Sequence, residues 1–432
     1  MTSHDVGRHL GCYGVETVRS PNLDQLAAEG LRFDNCFCTA PQCSPARASL
    51  FTGRYPHCNG MMGLAHGQAT WDIGPGERHM AGFLREAGWH TALVHHQHET
   101  RRPGEMGYDE IIGLDRRRPC NEVAELVDGF LASRRGADRP FFCQVGFFEP
   151  HRSFTIWDSP PDDALGVTIP PHIANEPSAV QEFAEFQGAI HKLDAAVGRI
   201  LQSLDEHGAA ENTLVIFTAD HGIPFPRAKC SLYDPGLVVT LLMRWPGGGW
   251  GSGKVLTQMV SHLDVLPTLL ELGEIDRPDN LHGQSLFSLL SGESAELRDA
   301  VFGQMTYHDY CDPRRCIRTA NHKLIVNFTF APSFMDPSQS WRPNTVTSHP
   351  PQPEYDYHTA VELYDLVADP QETQNLAQSP QHRSICRMLL MRLHDWMSDT
   401  HDPLLSGIPP SPMFDRAMGA LTTGYVPPEP DR

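Results

Sequence analysis

Residues 43–54 read Cys-Ser-Pro-Ala-Arg-Ala-Ser-Leu-Phe-Thr-Gly-Arg, and they come shortly after an apolar, strand-like run over residues 31–37. Ser44 is a good N-cap, Pro45 suits the first helical position and Gly53 suits the C-terminal cap. The stretch therefore predicts a strand that leads through a short connection into a helix.

Two side chains of this helix can act together on an anion. Cys43 lies where unpaired backbone N–H groups and the positive end of the helix dipole converge. Arg47 is four residues further on, so its guanidinium can point back along the same face of the helix. A buried cysteine ahead of an ordinary capped helix is the alternative interpretation of the same residues.

Over the first 300 residues, apolar strands alternate with helices. The predicted strands are Trp89–Val94, Pro140–Phe148, Thr213–Thr218 and Val238–Met243. The predicted helices are Ser20–Gly30, His79–Ala87, Phe186–His207 and Leu263–Leu272. This alternation predicts an α/β fold with a mostly parallel sheet that is covered by helices on both faces. Polar residues repeatedly follow the carboxyl ends of the strands, where ligands bind in open α/β sheets.

Beyond residue 300 the pattern changes to shorter elements and more proline. The predicted pieces are strands near Cys316–Arg318, Lys323–Phe328 and Val361–Leu366, a Pro-rich loop over Pro332–Tyr355, and a helix over Ser384–Met397. We therefore predict a catalytic domain over residues 1–300 and a small α+β domain over residues 301–432. No structure is predicted for the Pro-rich tail after Pro403.

Composition excludes several classes of function. The formal net charge is −19 and no Lys/Arg run stands out, which argues against nucleic-acid binding and against an anionic membrane surface. No run of about 18 apolar residues predicts a membrane span. The eleven cysteines lack paired Cys-x-x-Cys spacing, so neither a zinc site nor a disulfide framework is predicted. Residues 1–5 lack signal-peptide features, so a cytoplasmic location is expected for the chain as it stands.

The full spelling of residues 43–54, Cys-x-Pro-x-Arg followed by Ala-Ser-Leu-x-Thr-Gly-Arg, resembles the signature of the type I sulfatases. The resemblance implies an alkaline-phosphatase/sulfatase-like fold. It also implies that a formylglycine-generating enzyme oxidises Cys43 to formylglycine, whose hydrated aldehyde is the nucleophile. In sulfatases an apolar strand precedes an acidic pair near the start, and this sequence has almost no such strand. We therefore expect that the polypeptide begins upstream or that the chain is a fragment, which would leave a secreted or periplasmic location open.

The resemblance also implies a divalent metal site. Its ligands would be Asp5, Asp220 and His221, with His4 and the modified Cys43 as further ligands. His4 departs from the family, which commonly has the first Asp of a pair at this place. Oxygen ligands favour Ca²⁺ or Mg²⁺, and an imidazole permits Mn²⁺, so Ca²⁺ is the first expectation.

Further site residues follow from the same resemblance. His151 would be the general acid toward the leaving group, a role that suits a side chain titrating near neutrality. Lys229 and Arg47 would neutralise the charge of the sulfate. His98 matches the histidine of a Gly-Lys-x-His motif, whereas His96 replaces its lysine. Losing one preorganised donor typically costs about 10²–10³ in rate, so His96 is the most serious mismatch.

Within the family the chain resembles the N-sulfoglucosamine sulfohydrolase branch, and the segments that carry this resemblance span nearly the whole chain: Asn59–Leu64, Glu149–Arg152, Asp220–Pro226, Asp369–Leu376 and Thr400–Pro403. This resemblance implies hydrolysis of a sulfate ester or sulfamate in a sulfated carbohydrate, first of all N-linked sulfate of glucosamine, with His308 and Asp309 as sugar contacts. Two alternatives stay open: a phosphonate monoester or phosphodiester hydrolase, and a degenerate glycan-binding relative without catalysis. A homodimer is also left open.

Overall fold

The computed structural model describes residues 1–66, 69–331, 346 and 357–425. The larger of two β-sheets has nine strands among these residues. They are β1 (Thr2–Ser3), β2 (Leu31–Phe37), β3 (His90–His95), β4 (Glu110–Ile112), β5 (Phe141–Gly146), β6 (Val215–Ala219), β7 (Val238–Val239), β8 (Leu241–Arg244) and β9 (Lys254–Ser261). Their order is β4-β3-β5-β1-β6-β8-β2-β7, and β9 pairs with the other side of β2. The predicted strand over residues 238–243 is thus two strands, interrupted at Thr240.

The sheet is mixed but mostly parallel, as predicted. Strands β4, β3, β5, β1 and β6 run parallel to one another, and β2 is parallel to β9. Strands β7 and β8 are antiparallel to β2, and β8 is also antiparallel to β6. All strands from β4 to β6 in this order therefore end at one edge of the sheet.

Helices cover both faces. They are α1 (Pro21–Glu29), α2 (Cys43–Thr52), α3 (Pro56–Asn59), α4 (Met80–Glu86), α5 (Cys120–Arg134), α6 (Pro177–Glu206), α7 (Asp234–Leu237), α8 (Val265–Leu272), α9 (Phe287–Leu290), α10 (Arg383–Asp399) and α11 (Pro412–Thr423). Successive side chains of a strand point to opposite faces. Accordingly, Phe217 of β6 packs with α1, α5 and α6, whereas Ile216 packs with the cluster that contains α2, α4 and α8.

Helix α6 is longer than predicted. Its apolar residues recur on one face, as an amphipathic helix requires, and they are buried against the sheet. The helix begins at Pro177, a residue whose fixed φ suits the first helical position.

Helix α11 was not predicted. Ser411 caps this helix by accepting a hydrogen bond from the Phe414 N–H, and the amphipathic segment lies in the tail for which no structure was predicted.

Strand β1 has only two residues, although it lies at the centre of the sheet. Thr2 pairs with Gly146 of β5 and with Thr218 of β6, and the Met1 amino group donates to the carbonyl of Ile216 at 2.8 Å. This short strand connects the two halves of the sheet and delivers the next two residues, His4 and Asp5, to its carboxyl edge. An upstream beginning of the polypeptide stays a prediction.

The smaller sheet is antiparallel and consists of β10 (Ala300–Tyr307), β11 (Cys311–Thr319), β12 (His322–Asn327) and β13 (Val361–Asp365), paired in chain order. Leu324 and neighbouring side chains pack under α10. On the other face, Ile325 joins the core that contains α2 and α8, so the two sheets share buried apolar contacts. The division at residue 300 stays a prediction, and most of the predicted loop Pro332–Tyr355 lies outside the described residues.

Within the described ranges, no helix is both long enough and apolar enough to cross a membrane.

Candidate active site

Helix α2 begins two residues earlier than predicted. Gln42 is its N-cap and Cys43 its first residue, so the prediction of Ser44 as the N-cap and Pro45 at the first position was wrong. The Ser44 hydroxyl instead accepts a hydrogen bond from the Ala65 N–H at 3.0 Å, which fixes a loop beside the helix start. Gly53 ends the helix with φ of 65°, as predicted for a C-terminal glycine.

Four parallel strands place the predicted polar residues at one edge. Strand β1 is followed by His4 and Asp5, β6 by Asp220 and His221, β3 by the segment 96–98, and β5 by the segment that reaches His151. These strands are adjacent in the order β3-β5-β1-β6 and parallel, so their carboxyl ends meet. Residues separated by more than 200 positions thereby come into contact.

Two buried carboxylates form the base of the site. The Asp5 N–H donates to Asp220 Oδ1 at 3.0 Å, and Asp5 has φ of 52°, a left-handed conformation that short polar side chains tolerate. The Lys229 ammonium lies 3.0 Å from Asp5 Oδ1. Burial opposes the charge of Asp5, but Lys229 and His221 outweigh it and lower the pKa of Asp5 to about 2. Burial likewise disfavours the Lys229 ammonium, and Asp5 outweighs it, so the pKa of Lys229 is raised. Both groups are charged at neutral pH.

Arg47 is fully buried and holds the second carboxylate. Its Nε donates to Asp220 Oδ2 at 3.1 Å, and its other nitrogens donate to Thr2 Oγ1 at 3.0 Å and to the Ser3 carbonyl at 3.2 Å. Burial works against the charge of Asp220, but His221, His4 and Arg47 hold the pKa of Asp220 well below its usual range. Arg47 thus couples helix α2 to strand β1. The structure places its guanidinium on Asp220, and Arg47 is not among the described residues that line the cleft.

Cys43 lies next to the two carboxylates, Asp5 and Asp220. Its Sγ is 3.4 Å from His221 Nε2, and the same nitrogen lies 3.2 Å from Asp5 Oδ1. Burial raises the pKa of the Cys43 thiol to about 12, so almost no thiolate exists at neutral pH. The thiol by itself is therefore a poor nucleophile at this place.

The donor set fits a divalent cation. His4, Asp5, Cys43 and Asp220 each offer one potential ligand atom, and these four atoms lie within 4.8 Å of one another. His221 contacts both carboxylates. Two ionised carboxylates in a buried place would repel each other without a counter-charge, and hard cations prefer such oxygen ligands. Lys229 and Arg47 supply part of that counter-charge.

A cleft of about 180 Å³ opens over Cys43 and Asp5. Lys229, His98 and His151 line it, as do both predicted sugar contacts, His308 and Asp309. His96 does not line it among the described residues, because its ring turns toward His4, with 2.7 Å between the two Nε2 atoms. The structure thus brings the predicted residues together, while their individual roles stay predictions.

One ring nitrogen of His151 is occupied by a hydrogen bond to the backbone. Its Nδ1 lies 2.6 Å from the carbonyl of Arg152, which can only accept, so Nδ1 carries the proton of the neutral ring. Burial, and then the charge of Lys229, lower the pKa of His151 to about 3. The ring is neutral at pH 7, and its Nε2 presents a lone pair.

Sequence reasoning missed four residues that line the cleft: Leu64, His66, Arg152 and Pro224. Arg152 donates to the carbonyl of Pro224 at 3.0 Å and forms an ion pair with Glu182. The available signal for Arg152 was the segment Glu149-Pro150-His151-Arg152, which resembles the family, but no role was assigned to Arg152. His66 lies in a loop with no periodicity, and its contact with His98 exists only in the folded chain.

Comparison with known families gives two matches. The sulfatase profile matches residues 2–275, and a profile for the C-terminal region of N-sulphoglucosamine sulphohydrolase matches residues 227–337. Among curated proteins, human N-sulphoglucosamine sulphohydrolase is 32% identical and is aligned over 93% of this chain and 90% of its own length. An ulvan-active sulfatase of Formosa agariphila is 28% identical over 92% of this chain and 80% of its own length.

Solved structures share the fold at lower identity. A structure described as a complex with its substrate D-glucosamine-2-N,6-O-disulfate has a TM-score of 0.72 and 18% identity, covering 93% of this chain and 97% of that chain. The phosphonate monoester hydrolase of Agrobacterium radiobacter has a TM-score of 0.72 and 20% identity, covering 92% of this chain and 95% of that chain. Both likenesses confirm the predicted α/β architecture.

Proposed function

Since the chain belongs to the sulfatase family and is a sulfatase hydrolase, we propose that it removes N-linked sulfate from glucosamine residues of a sulfated carbohydrate. The observation that carries the substrate class is the match to N-sulphoglucosamine sulphohydrolase, which extends through both sheets. The cleft is compatible with it, because an anion-binding lysine and two polar side chains from the C-terminal region, His308 and Asp309, line the same space.

The nucleophile is a formylglycine made from Cys43, so a formylglycine-generating enzyme is a required partner. The raised pKa of Cys43 supports this proposal, since a buried thiol gives little thiolate at neutral pH. The hydrated aldehyde supplies a hydroxyl nucleophile, and its second hydroxyl allows the sulfate to leave and the aldehyde to form again.

A divalent cation, first of all Ca²⁺, would be held by Asp5 and Asp220, with His221 and the modified residue 43 as further ligands. His4 supports this site indirectly, because its Nδ1 lies 2.9 Å from Asp220 Oδ2. It would supply positive charge for the sulfate oxygens. Two buried carboxylates with strongly lowered pKa values support this assignment, because they stay ionised over the whole neutral range.

Lys229 binds the anionic part of the substrate. Its ammonium is anchored on Asp5 and also lines the cleft, so one positive charge is held at a fixed place next to residue 43. A preorganised charge in a water-poor site is worth much more than the same charge in bulk solvent. Arg47 contributes indirectly, since it holds Asp220 and strand β1 in position.

His151 delivers the proton to the leaving nitrogen. In the free protein its Nε2 is unprotonated, because burial lowers its pKa to about 3. An anionic substrate in the cleft favours the imidazolium, since an opposite charge at close range raises the pKa of a histidine. The proton gained at Nε2 then lies where the leaving group departs, and Nδ1 stays fixed on the Arg152 carbonyl.

The test is a substrate panel on the full-length protein made together with a formylglycine-generating enzyme and supplied with Ca²⁺. We expect kcat/KM for N-sulfoglucosamine to exceed that for a 6-O-sulfated glucosamine and for an aryl phosphonate ester by at least about 10-fold, which equals about 1.4 kcal/mol. Cys43→Ala serves as the inactive control. A higher kcat/KM for the phosphonate ester would assign the chain to phosphonate hydrolysis, and glycan binding without turnover would assign it to a non-catalytic role.

A further inference from the structure

Three histidines converge beside the carboxylate site. His4, His96 and His98 each offer one ring nitrogen, and these three nitrogens lie within 4.8 Å of one another. The Nε2 atoms of His4 and His96 are 2.7 Å apart. They come from the ends of β1 and β3, which are separated by β5 in the sheet. His4 and His96 are 92 positions apart in the sequence, so their spacing gives no sign that they meet.

The orientation of His4 is set by a carboxylate. Its Nδ1 lies 2.9 Å from Asp220 Oδ2, and its Nε2 is directed at His96. A carboxylate behind one ring nitrogen is the common device by which proteins fix the tautomer of a metal-binding histidine and make its other nitrogen more basic. The pair Asp220–His4 has this arrangement.

His98 offers a further donor. Its Nδ1 is buried and has no hydrogen-bond partner among the described residues, although buried polar atoms are normally satisfied. Its Nε2 is in close contact with His66 Nδ1, which fixes the ring. His98 also lines the cleft, so a group bound to it would face the substrate space.

The surrounding charges permit a cation. Arg47 and Lys229 are two buried positive groups of the site, and each is paired with a carboxylate, Asp220 and Asp5 respectively. The three rings supply only nitrogen donors, which hard cations such as Ca²⁺ avoid and late first-row metals prefer.

We propose that His4, His96 and His98 form a second cation site, distinct from the oxygen-rich one, which binds Zn²⁺ or a related late first-row divalent metal. Three imidazoles and an open fourth position are a known ligand set for zinc. Two nitrogens at about 2.0–2.1 Å from a tetrahedral Zn²⁺ are roughly 3.3 Å apart, so the His96 ring moves by about 0.6 Å from its place beside His4. His4 then binds through Nε2, while its Nδ1 stays on Asp220.

Such a metal would add positive charge beside His98 on the wall of the cleft. This consequence rests on the proposed function, because it matters only if the cleft binds an anionic sulfate. The binding site itself does not rest on it.

The test is a titration of the full-length protein with Co²⁺, whose visible absorption reports tetrahedral nitrogen coordination, followed by displacement with Zn²⁺. All samples carry Cys43→Ala, so that no thiol binds the metal and no turnover is involved, and excess Ca²⁺ fills the oxygen-rich site. Variants His96→Gln and His98→Gln are compared with His95→Gln. His95 is one residue away, but its two ring nitrogens are already hydrogen-bonded to the Gly146 carbonyl and the Arg118 N–H, each at 3.0 Å.

We expect one equivalent of Co²⁺ to bind, with affinity reduced at least about 100-fold by His96→Gln and by His98→Gln and retained in His95→Gln. Thermal unfolding of each variant identifies any that fails to fold; if one does, the other decides. The proposal is overturned if the parent binds no Co²⁺, or if His96→Gln and His98→Gln bind it as tightly as His95→Gln. Because the readout is metal binding, a failure of the proposed sulfamidase activity would leave this result unchanged.

Discussion

Conversion of Cys43 to formylglycine should decide whether the protein hydrolyses its substrate. With a pKa of about 12, only about one Cys43 thiol in 10⁵ is ionised at pH 7, whereas about 3% of an ordinary cysteine is. The thiolate population is therefore more than about three orders of magnitude below that of an exposed cysteine. We expect a preparation containing only the thiol to have less than about 0.1% of the activity of the aldehyde form.

The assay compares preparations made with and without a formylglycine-generating enzyme. Peptide mass spectrometry gives the aldehyde fraction at Cys43, and sulfate release from N-sulfoglucosamine gives kcat/KM. Activity should be proportional to the aldehyde fraction, and Cys38→Ala, which replaces a similarly buried cysteine with 2% exposure against 3% for Cys43, should retain it. Full activity with only thiol at Cys43 would refute the reasoning. So would a thiol-only activity that rises about 100-fold between pH 7 and pH 9, because that is the signature of a thiolate nucleophile.

Three further predictions concern charge and metal. Arg47→Ala should lower the free energy of unfolding by about 3–5 kcal/mol in urea, because it leaves Asp220 buried without its guanidinium partner; an unchanged midpoint would contradict this. Removal of Ca²⁺ by a chelator should abolish substrate turnover and lower the melting temperature. Ca²⁺ added back to about 100 times its Kd should restore about 2.7 kcal/mol of the free energy of unfolding; activity and stability that do not depend on the metal would contradict this prediction. Burial between Phe183 and Phe186 lowers the pKa of His9 to about 4, so the unfolded chain takes up the proton first and stability falls as the pH drops from 7 to 5. His9→Gln should remove about 2 kcal/mol of that loss, as measured by urea unfolding at both pH values, and an unchanged pH slope would show that His9 does not titrate this way.

Much of the fold was predictable because its signals are local. Strand β5 and helix α10 follow from continuous or periodic apolar residues, and these boundaries are close to the predicted ones. The N-cap of α2 was misplaced, since Gln42 adopts the extended conformation of an N-cap without using its side chain as a cap. Helix α11 was missed, because proline in its surroundings masked an amphipathic segment.

The candidate site was predictable as a set of residues and unpredictable as a set of contacts. Asp5, Asp220 and Lys229 could be named, but the Lys229–Asp5 ion pair joins residues 224 positions apart. His96 was treated as a poor substitute for a substrate-binding lysine. The structure shows it turned toward His4, which depends on how two strand ends approach each other.

The sequence by itself determined the class of fold, the sulfatase signature at Cys43–Arg54 and the residue types available for catalysis, because apolar periodicity and short motifs are properties of neighbouring residues. Only the tertiary structure decided that Arg47 holds Asp220 and strand β1, and that three histidines meet beside them. The physical reason is that parallel strands bring their carboxyl ends together regardless of the length of chain between them. Contacts at that edge are set by sheet order and side-chain packing, which no spacing in the sequence encodes.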